Sequence, residues 1–95
     1  MTVINATRTS DGAKIKILHE YMGGIITGYD VAGNPFPVYT SYFEAVDGSV
    51  EFYNQIDKRK IPTGTDIGQF CWAEDCRVLK TLGYEFTDAD IDVDA

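Results

Sequence analysis

Residues 23–43 read GGIITGYDVAGNPFPVYTSYF and predict a β-hairpin around which the rest of the chain is arranged. The central tetrapeptide, 32–35, is typical of a turn, because Gly and Asn tolerate positive φ and Pro fixes φ without offering an N–H. The flanking segments, Ile25–Val31 and Phe36–Phe43, are rich in β-branched and aromatic residues that pack well on a pleated surface. Gly28, in mid-strand, predicts a bulge or the close approach of another element.

The composition is that of one small folded domain. The chain has 95 residues, of which 44% are hydrophobic and 24% charged, and this charged fraction is near the average for globular proteins. No run approaches the roughly 18 apolar residues of a membrane span. The N-terminus lacks the basic and apolar regions of a signal peptide. We therefore expect a cytoplasmic protein that does not bind membranes.

Two further strands precede the hairpin. Thr2–Thr9 and Lys14–Tyr21 alternate between two faces, and Ser10-Asp11-Gly12 between them is a hairpin turn signal. Met22-Gly23-Gly24 predicts the next turn. Because short connections place sequential strands side by side, the predicted topology is a four-stranded antiparallel meander.

Residues 42–60 are compatible with two structures. Asp47-Gly48 could form a hairpin turn, but that register sets Glu44 directly opposite Glu51, and like charges in that position are destabilising. The alternative is a helix from about Gly48 to Lys60, capped by Asp47 and with basic residues in its last turn. We predict the helix.

A second helix is predicted over Ile67–Leu82, with Thr65 or Asp66 as its cap and Gly83 at its C-terminal end. Its apolar residues cluster on one side, and we expect Glu74 and Asp75 on its outer face. A short strand at 84–86 follows. The predicted fold class is α+β, a four-stranded meander with two helices packed on one face. Residues 1–86 form the domain and 87–95 an acidic C-terminal tail.

Acidic residues are concentrated in the last third of the chain. The net charge is −7, and residues 61–95, with two basic and eight acidic residues, carry −6 of it. The tail repeats aspartate at every second position, at 88, 90, 92 and 94. A negative field disfavours direct binding to nucleic acid or to anionic membrane and favours partners with a basic surface.

The side chains that could carry catalysis or bind metal are few. Cys71 and Cys76 would lie about 8 Å apart on one helix, which is too far for a disulfide, so we expect free thiols. Two thiols and one histidine do not make the four-ligand set of a zinc site, and we predict no metal and no cofactor. Asp30 or Glu44 on neighbouring strands could reach His19, but the sequence does not place either of them beside it, and we predict no enzymatic activity.

The charge pattern predicts a small acidic, non-enzymatic protein-binding module. In its sharpest form it is an inhibitor that mimics nucleic acid and blocks the basic surface of another protein, as phage-type inhibitors of host defence proteins of this size and charge do. The predicted partner-binding residues are acidic or aromatic: Asp66, Glu74, Asp75, Glu85, Asp88, Asp90, Tyr39, Tyr42 and Trp72.

Two alternatives remain open. Six tyrosines exceed what a core of this size needs, and tyrosine is enriched at interfaces, so the chain could be a structural or virion assembly subunit that self-associates through its sheet. It could also bind a nucleotide or metabolite in a pocket between sheet and helix, through His19, Tyr29 and Tyr39.

Overall fold

Within residues 1–22 and 26–93, which the computed structural model describes, the chain forms a seven-stranded antiparallel sheet with a single α-helix. The strands are β1 (Thr2–Arg8), β2 (Lys14–Tyr21), β3 (Ile26–Tyr29), β4 (Pro35–Ala45), β5 (Glu51–Asp57), β6 (Tyr84–Glu85) and β7 (Ile91–Asp92), and the helix is α1 (Ile67–Thr81). Short 3-10 turns occupy Lys58–Lys60 and Asp88–Asp90. The sheet is more extensive than the sequence predicts.

The 11-residue strand β4 pairs with three other strands. β5 pairs with one edge of β4. Two strands share the other edge of β4: β3 pairs with its first part, up to Ile26↔Val38, and β2 pairs with its last part, from Tyr21↔Ser41 onward. β1 lies beyond β2, and β6 and β7 pair with the far side of β1. The predicted meander is therefore wrong, because β2 pairs with β4 and not with β3. The turn predicted at 22–24 lies mostly outside the described residues.

Both predicted N-terminal hairpins are confirmed as local structures. β3 and β4 pair from Ile26↔Val38 to Tyr29↔Pro35. In the loop between them, Gly33 has a φ of +83°, and the Asp30 carboxylate accepts hydrogen bonds from the backbone N–H groups of Ala32 and Asn34. β1 and β2 pair through the turn containing Gly12, whose φ is +71°.

Gly28 is required by a close approach, as its position in mid-strand predicts. A Cβ at this position would lie 3.0 Å from two carbons of the Phe36 ring and 3.1 Å from Val38 Cγ1. Phe36 is the cross-strand partner of Gly28, and its ring is covered on another side by the Arg59 guanidinium, 4.4 Å from the ring centroid. The absence of a side chain at Gly28 therefore leaves space for the ring of Phe36.

The predicted helix over Gly48–Lys60 is wrong, and the competing hairpin is present. β4 and β5 pair with Glu44↔Glu51 in register. Gly48 has a φ of +77°, and the Asp47 carboxylate accepts hydrogen bonds from the N–H and the hydroxyl of Ser49, so the turn is well specified. The rings of the cross-strand pair Phe43 and Phe52 stack with centroids 4.7 Å apart.

The repulsion that argues against this hairpin is weak because of where the two carboxylates lie. Glu44 and Glu51 are both exposed, on the face of the sheet opposite the helix. Water and salt screen like charges at such a site. Burial and stacking of the phenylalanines on the helix side of the sheet therefore outweigh the repulsion between the glutamates.

Helix α1 begins and ends as predicted. The Asp66 carboxylate caps it by accepting from the Gln69 N–H, and Gly83 follows it with a φ of +98°. α1 covers what we call the inner face of the sheet, and the opposite face is the outer face. The core between helix and sheet contains Ile4, Ala6, Ile15, Ile17, Phe43, Ala45, Leu79 and Tyr84.

Two expectations about this helix are corrected. α1 packs on the inner face without a second α-helix in the described part of the chain, because the segment predicted to form one is β5. Asp75, expected on the outer side of α1, is 1% exposed and faces the sheet. It shares a stripe with Cys71 and Leu79, four residues before and after it, and both of these residues are buried as well.

The acidic C-terminal segment continues the sheet as far as the structure describes it. β6 confirms the predicted short strand. The Asp90 carboxylate then accepts hydrogen bonds from the N–H and the hydroxyl of Thr87, forming a capping box. β7 pairs with β1 through Ile4↔Ile91, which leaves Ile91 half-buried. Asp94, predicted as part of the acidic repeat, lies outside the described residues.

Candidate functional site

A buried polar cluster lies between α1 and the sheet, centred on the carboxylate of Asp75. Oδ2 accepts a hydrogen bond of 2.6 Å from the Ser41 hydroxyl and lies 3.1 Å from His19 Nε2. Oδ1 accepts one of 2.7 Å from the Asn54 amide. Asp75 and Ser41 are each 1% exposed and His19 is 6% exposed. A carboxylate buried this deeply is tolerated because three donors converge on it.

The cluster follows from the alternation of the strands. His19, Ser41 and Asn54 occupy inward positions of β2, β4 and β5, and Ser41 is the direct cross-strand partner of Asn54. The serine and the histidine both bind the aspartate rather than each other. This connectivity differs from that of a nucleophilic triad, in which the histidine joins the other two residues.

A cavity of about 210 Å³ opens beside the cluster. It is lined by His19, Tyr21, Gly68, Cys71, Trp72 and Asp75. The rings of His19 and Trp72 meet edge to face, with centroids 5.1 Å apart. Burial, with the nearby Asp75 charge adding to it, raises the pKa of the Cys71 thiol and also that of the Tyr21 phenol. Neither group is activated as a nucleophile by this environment.

The predicted small-ligand residues are separated from one another. His19 borders the cavity, whereas Tyr29 is 68% exposed on the β3–β4 hairpin. Tyr39 stacks on Tyr21, with ring centroids 6.3 Å apart, and Lys58 lies over its ring. Tyr21 also lines the cavity, although it was not among the predicted ligand-binding residues. Its position two residues after His19 on β2, and hence on the same face, is the sequence signal for this.

The predicted acidic surface is likewise not brought together in one place. Asp75 is buried, and Asp66 and Glu85 lie beyond opposite ends of a helix about 22 Å long. Glu74 is half-buried, is paired with Arg77 at 2.9 Å, and lies on the side of α1 that borders β5. Asp88 and Asp90 lie in the 3-10 turn next to β7, where the Asp90 carboxylate accepts hydrogen bonds from Thr87, the N-cap residue of that turn. Trp72 is half-buried against His19.

A different acidic and aromatic surface is present on the outer face. The registers Glu20↔Tyr42↔Tyr53 and Leu18↔Glu44↔Glu51 form two adjacent rows across β2, β4 and β5. We call these six residues the outer patch. Tyr53 is 60% exposed, and its ring contacts that of Tyr42 with centroids 4.8 Å apart. A depression of about 100 Å³, bordered by Leu18 and Tyr42, lies within the patch.

The electrostatics of the outer patch are dominated by unpaired carboxylates. In the described part of the chain, no cationic group lies within 4.0 Å of the carboxylates of Glu20, Glu44 or Glu51. The Tyr42 hydroxyl lies 3.3 Å from Glu44 Oε2. Desolvation, together with the charges of Glu44 and Glu51, raises the pKa of Tyr42 to about 12.

Of the outer patch, sequence reasoning selected Tyr42 alone as a partner-binding residue. The three glutamates lie in residues 1–60, where acidic and basic residues nearly balance, so the charge count directed attention to the last third. Their outward position could be read from the alternation of each strand. Bringing them together requires two pairings. The Asp47-Gly48 turn signal offers the pairing of β5 with β4 as the alternative to a helix, whereas no local signal specifies the pairing of β2 with β4.

Comparison of the chain with protein-family models, with curated proteins and with solved structures gave no significant match. No helix among the described residues is long and apolar enough to cross a membrane. In the same part of the chain, no group of three or more His, Cys, Asp and Glu side chains is arranged to hold a metal ion. The Asp75 cluster with its cavity and the outer patch are therefore the two candidate functional sites.

Proposed function

We propose that this protein is a non-enzymatic binding module that uses the outer patch to bind a basic surface of another protein. The observation that carries the proposal is the pairing of Glu44 with Glu51 on an exposed sheet face, without a cation at ion-pair distance in the described part of the chain. Lysine or arginine side chains of a partner would form charge-assisted hydrogen bonds with these two carboxylates.

The aromatic half of the patch fits the same role. Tyr53 and Tyr42 offer a large contact area with few rotatable bonds, and tyrosine is enriched at protein interfaces. Leu18 adds apolar surface next to Glu44. Acidic groups beside aromatic ones bind lysine and arginine both by charge and by packing against their apolar stems.

Proteins that bind nucleic acid through a basic surface are the partner class that this chemistry fits best. By occupying such a surface the protein would inhibit its partner, without binding nucleic acid itself. The free thiols of Cys71 and Cys76 are consistent with action in a reducing, intracellular compartment. We propose neither a cofactor nor a membrane contact for this function.

The proposal is tested with two variants that lose the same charge at different places. Glu44→Gln/Glu51→Gln removes two carboxylates from the outer patch, and Glu85→Gln/Asp88→Asn removes two from the C-terminal segment. Wild type and both variants are used to capture proteins from a lysate, which are then identified by quantitative mass spectrometry. We expect wild type and the C-terminal variant to enrich the same basic proteins and the outer-patch variant to lose them.

A purified captured protein then permits a direct titration. Its affinity should be at least about tenfold weaker for the outer-patch variant, fall with salt, and fall when duplex DNA competes. Equal capture by both variants would refute the role of the patch. Loss with the C-terminal variant alone would instead favour the acidic residues of the last third.

A second candidate function is favoured by the cavity beside His19. Its volume of about 210 Å³ is smaller than a typical pocket for a drug-sized ligand, so it could hold only a small one. Its lining by Trp72 and Tyr21 favours a planar ring. Thermal unfolding in the presence of nucleotides and metabolites tests this, because a ligand of the folded state raises the unfolding temperature. A shift that is lost in Trp72→Leu, with wild-type binding to the basic partner retained, would assign this second site.

A further inference from the structure

The free edge of β5 lies directly beside the outer patch. β5 pairs with β4 on one side, and no other strand among residues 1–22 and 26–93 pairs with its second side. The edge follows a tight turn and ends at the 3-10 turn Lys58–Lys60. It is therefore a seven-residue strand with one side unpaired.

The backbone groups on this free side can be assigned from the hydrogen-bond pattern. Ala45 donates its N–H to the Val50 carbonyl, whereas Val46 donates its own to Lys16 of the β1–β2 hairpin. Odd-numbered residues of β4 thus bond towards β5. With Phe43↔Phe52 in register, even-numbered residues of β5 face β4, and the N–H and C=O groups of residues 51, 53 and 55 point to the free edge.

A groove runs along the same edge on the inner side. It has a volume of about 390 Å³, and its lining includes Asn54 and Ile56 of β5, Lys60 of the turn that follows, and Phe70, Glu74 and Arg77 of α1. A strand added to β5 would lie roughly 4.8 Å from it and would place alternate side chains over this groove and over the outer face. Free backbone N–H and C=O groups, the groove between β5 and α1, and the negative charge of Glu51 on the outer face therefore lie together at the edge of β5.

We propose that β5 accepts an extended segment of the partner as an additional strand, and that this segment carries lysine or arginine at every second position. This inference rests on the proposed function, because the outer patch supplies the negative charge that selects a basic segment. The partner's cationic side chains would lie on the outer face beside Glu51 and Tyr53. Its other side chains would cover the groove between β5 and α1. Main-chain hydrogen bonds to β5 would provide affinity. The two surfaces that contact alternate side chains, the outer face and the groove, would provide specificity.

Charge favours this occupant over a second copy of the chain. Pairing β5 with β5 of another molecule would join two outer patches into one continuous face and bring together two chains of net charge −7. The unpaired Glu44 and Glu51 would then face more negative charge. A basic segment neutralises them instead.

The probe is a synthetic eight-residue peptide with lysine at every second position and valine or threonine between. Backbone amide exchange of wild-type protein is followed by NMR as this peptide is added at low salt. We expect the N–H groups of Tyr53 and Gln55 to become protected, because they would donate to the added strand. A second peptide, N-methylated on the amides that would face β5, keeps its charge but should bind at least about tenfold more weakly.

Two protein variants separate the edge from the patch. Gln55→Pro removes an N–H that points away from β4, a position where an edge strand tolerates proline, and Gln55→Thr is the matched control that keeps it. We expect Gln55→Pro to lose at least about tenfold in peptide affinity and Gln55→Thr to bind like wild type. If Gln55→Pro fails to fold, the N-methylated peptide gives the same comparison on wild-type protein.

The outcomes distinguish the two proposals. If Glu44→Gln/Glu51→Gln weakens binding but Gln55→Pro and the N-methylated peptide do not, the patch binds cations without strand addition and this inference is overturned while the proposed function stands. If none of these changes matters, both are overturned. Protection of Tyr53 that depends on protein concentration without peptide would identify a second copy as the occupant and would overturn the inference as well.

Discussion

Ser41 and Asp75 come from the centre of the sheet and the middle of the helix and are joined by a hydrogen bond of 2.6 Å in the core. This bond, together with those from His19 and Asn54, ties α1 to β2, β4 and β5 at one point. An apolar core fixes the spacing of helix and sheet but permits small slides. A buried carboxylate with three converging donors specifies one relative position, because any slide would leave polar groups unpaired.

The first prediction concerns this carboxylate. Asp75→Asn keeps one acceptor oxygen but puts an NH2 group in place of the other, where it faces either the Asn54 amide or the Ser41 and His19 donors. We expect this substitution to lower the free energy of unfolding by about 2–4 kcal/mol. Ser41→Ala should cost about 1 kcal/mol, because the carboxylate keeps two partners. Urea denaturation measures both. Glu74→Gln, at the adjacent helix position, is the control, and a loss in Asp75→Asn no larger than the control would contradict a stabilising role.

The second prediction concerns the ionisation of Tyr42. The pKa of this phenol is raised to about 12 by desolvation and by the charges of Glu44 and Glu51. In Glu44→Gln/Glu51→Gln the charge contribution disappears, so the pKa should fall towards the ordinary tyrosine value. Phenolate absorbance is titrated with pH in each protein and in the same protein carrying Tyr42→Phe. Subtracting the second curve from the first gives the titration of Tyr42 alone. A pKa unaffected by the substitutions would mean that the carboxylates do not act on Tyr42.

The third prediction concerns the contact between Gly28 and Phe36. Gly28→Ala places a methyl group 3.0 Å from the Phe36 ring and should destabilise the protein by about 1–2 kcal/mol. In a Phe36→Leu background the cost should be smaller, since the ring edge is gone, and a double-mutant cycle measures the difference. Gly68→Ala is the control, because its new Cβ would meet nothing closer than the Asp66 side chain at 3.4 Å. Additive effects at Gly28 and Phe36 would contradict the clash.

The fourth prediction concerns acid stability. Arg8 forms two hydrogen bonds with Asp11, of 2.7 and 3.0 Å, and these lower the pKa of the carboxyl to about 2. A carboxyl with a lowered folded-state pKa stabilises the fold above its unfolded pKa. That stabilisation is lost as pH falls from about 4 to about 2. Asp11→Asn should therefore show a flatter dependence of unfolding free energy on pH in this window.

The same ion pair can be tested from its other side. Arg8→Gln removes the guanidinium, so the pKa of Asp11 should rise towards the ordinary value for aspartate. Carboxyl carbon NMR shifts report this pKa residue by residue. A wild-type Asp11 that titrates near 4 would show that Arg8 does not hold it in solution.

Features of the fold that depend on neighbouring residues could be predicted from the sequence. The turns at Gly12 and Gly33, the cap at Asp66 and the glycine after α1 each require particular residues within a few positions, and these local signals gave the correct structures. Residues 47–60 show the limit of such reasoning. The repulsion between Glu44 and Glu51 argues against the hairpin, but it is screened at an exposed site, and the stacking of Phe43 on Phe52 decides the outcome.

Features that join distant segments could not be predicted in this way. No local signal states that β2 pairs with β4, since residues 22–34 separate the two strands. The burial of Asp75 did have a signal that was overlooked. An acidic residue midway between Cys71 and Leu79 lies on the apolar stripe of the helix, and such a position predicts a buried partner.

The two faces of the sheet differ in what they contact: the inner face packs against α1, and the outer face carries the outer patch. In β2, β4 and β5, residues at inward positions hold the helix, while residues one position away in the chain form the outer patch. If the outer patch binds a partner as proposed, a substitution that changes this binding need not disturb the packing beneath it. On the proposed function, binding specificity can therefore change by point mutation while the scaffold is kept.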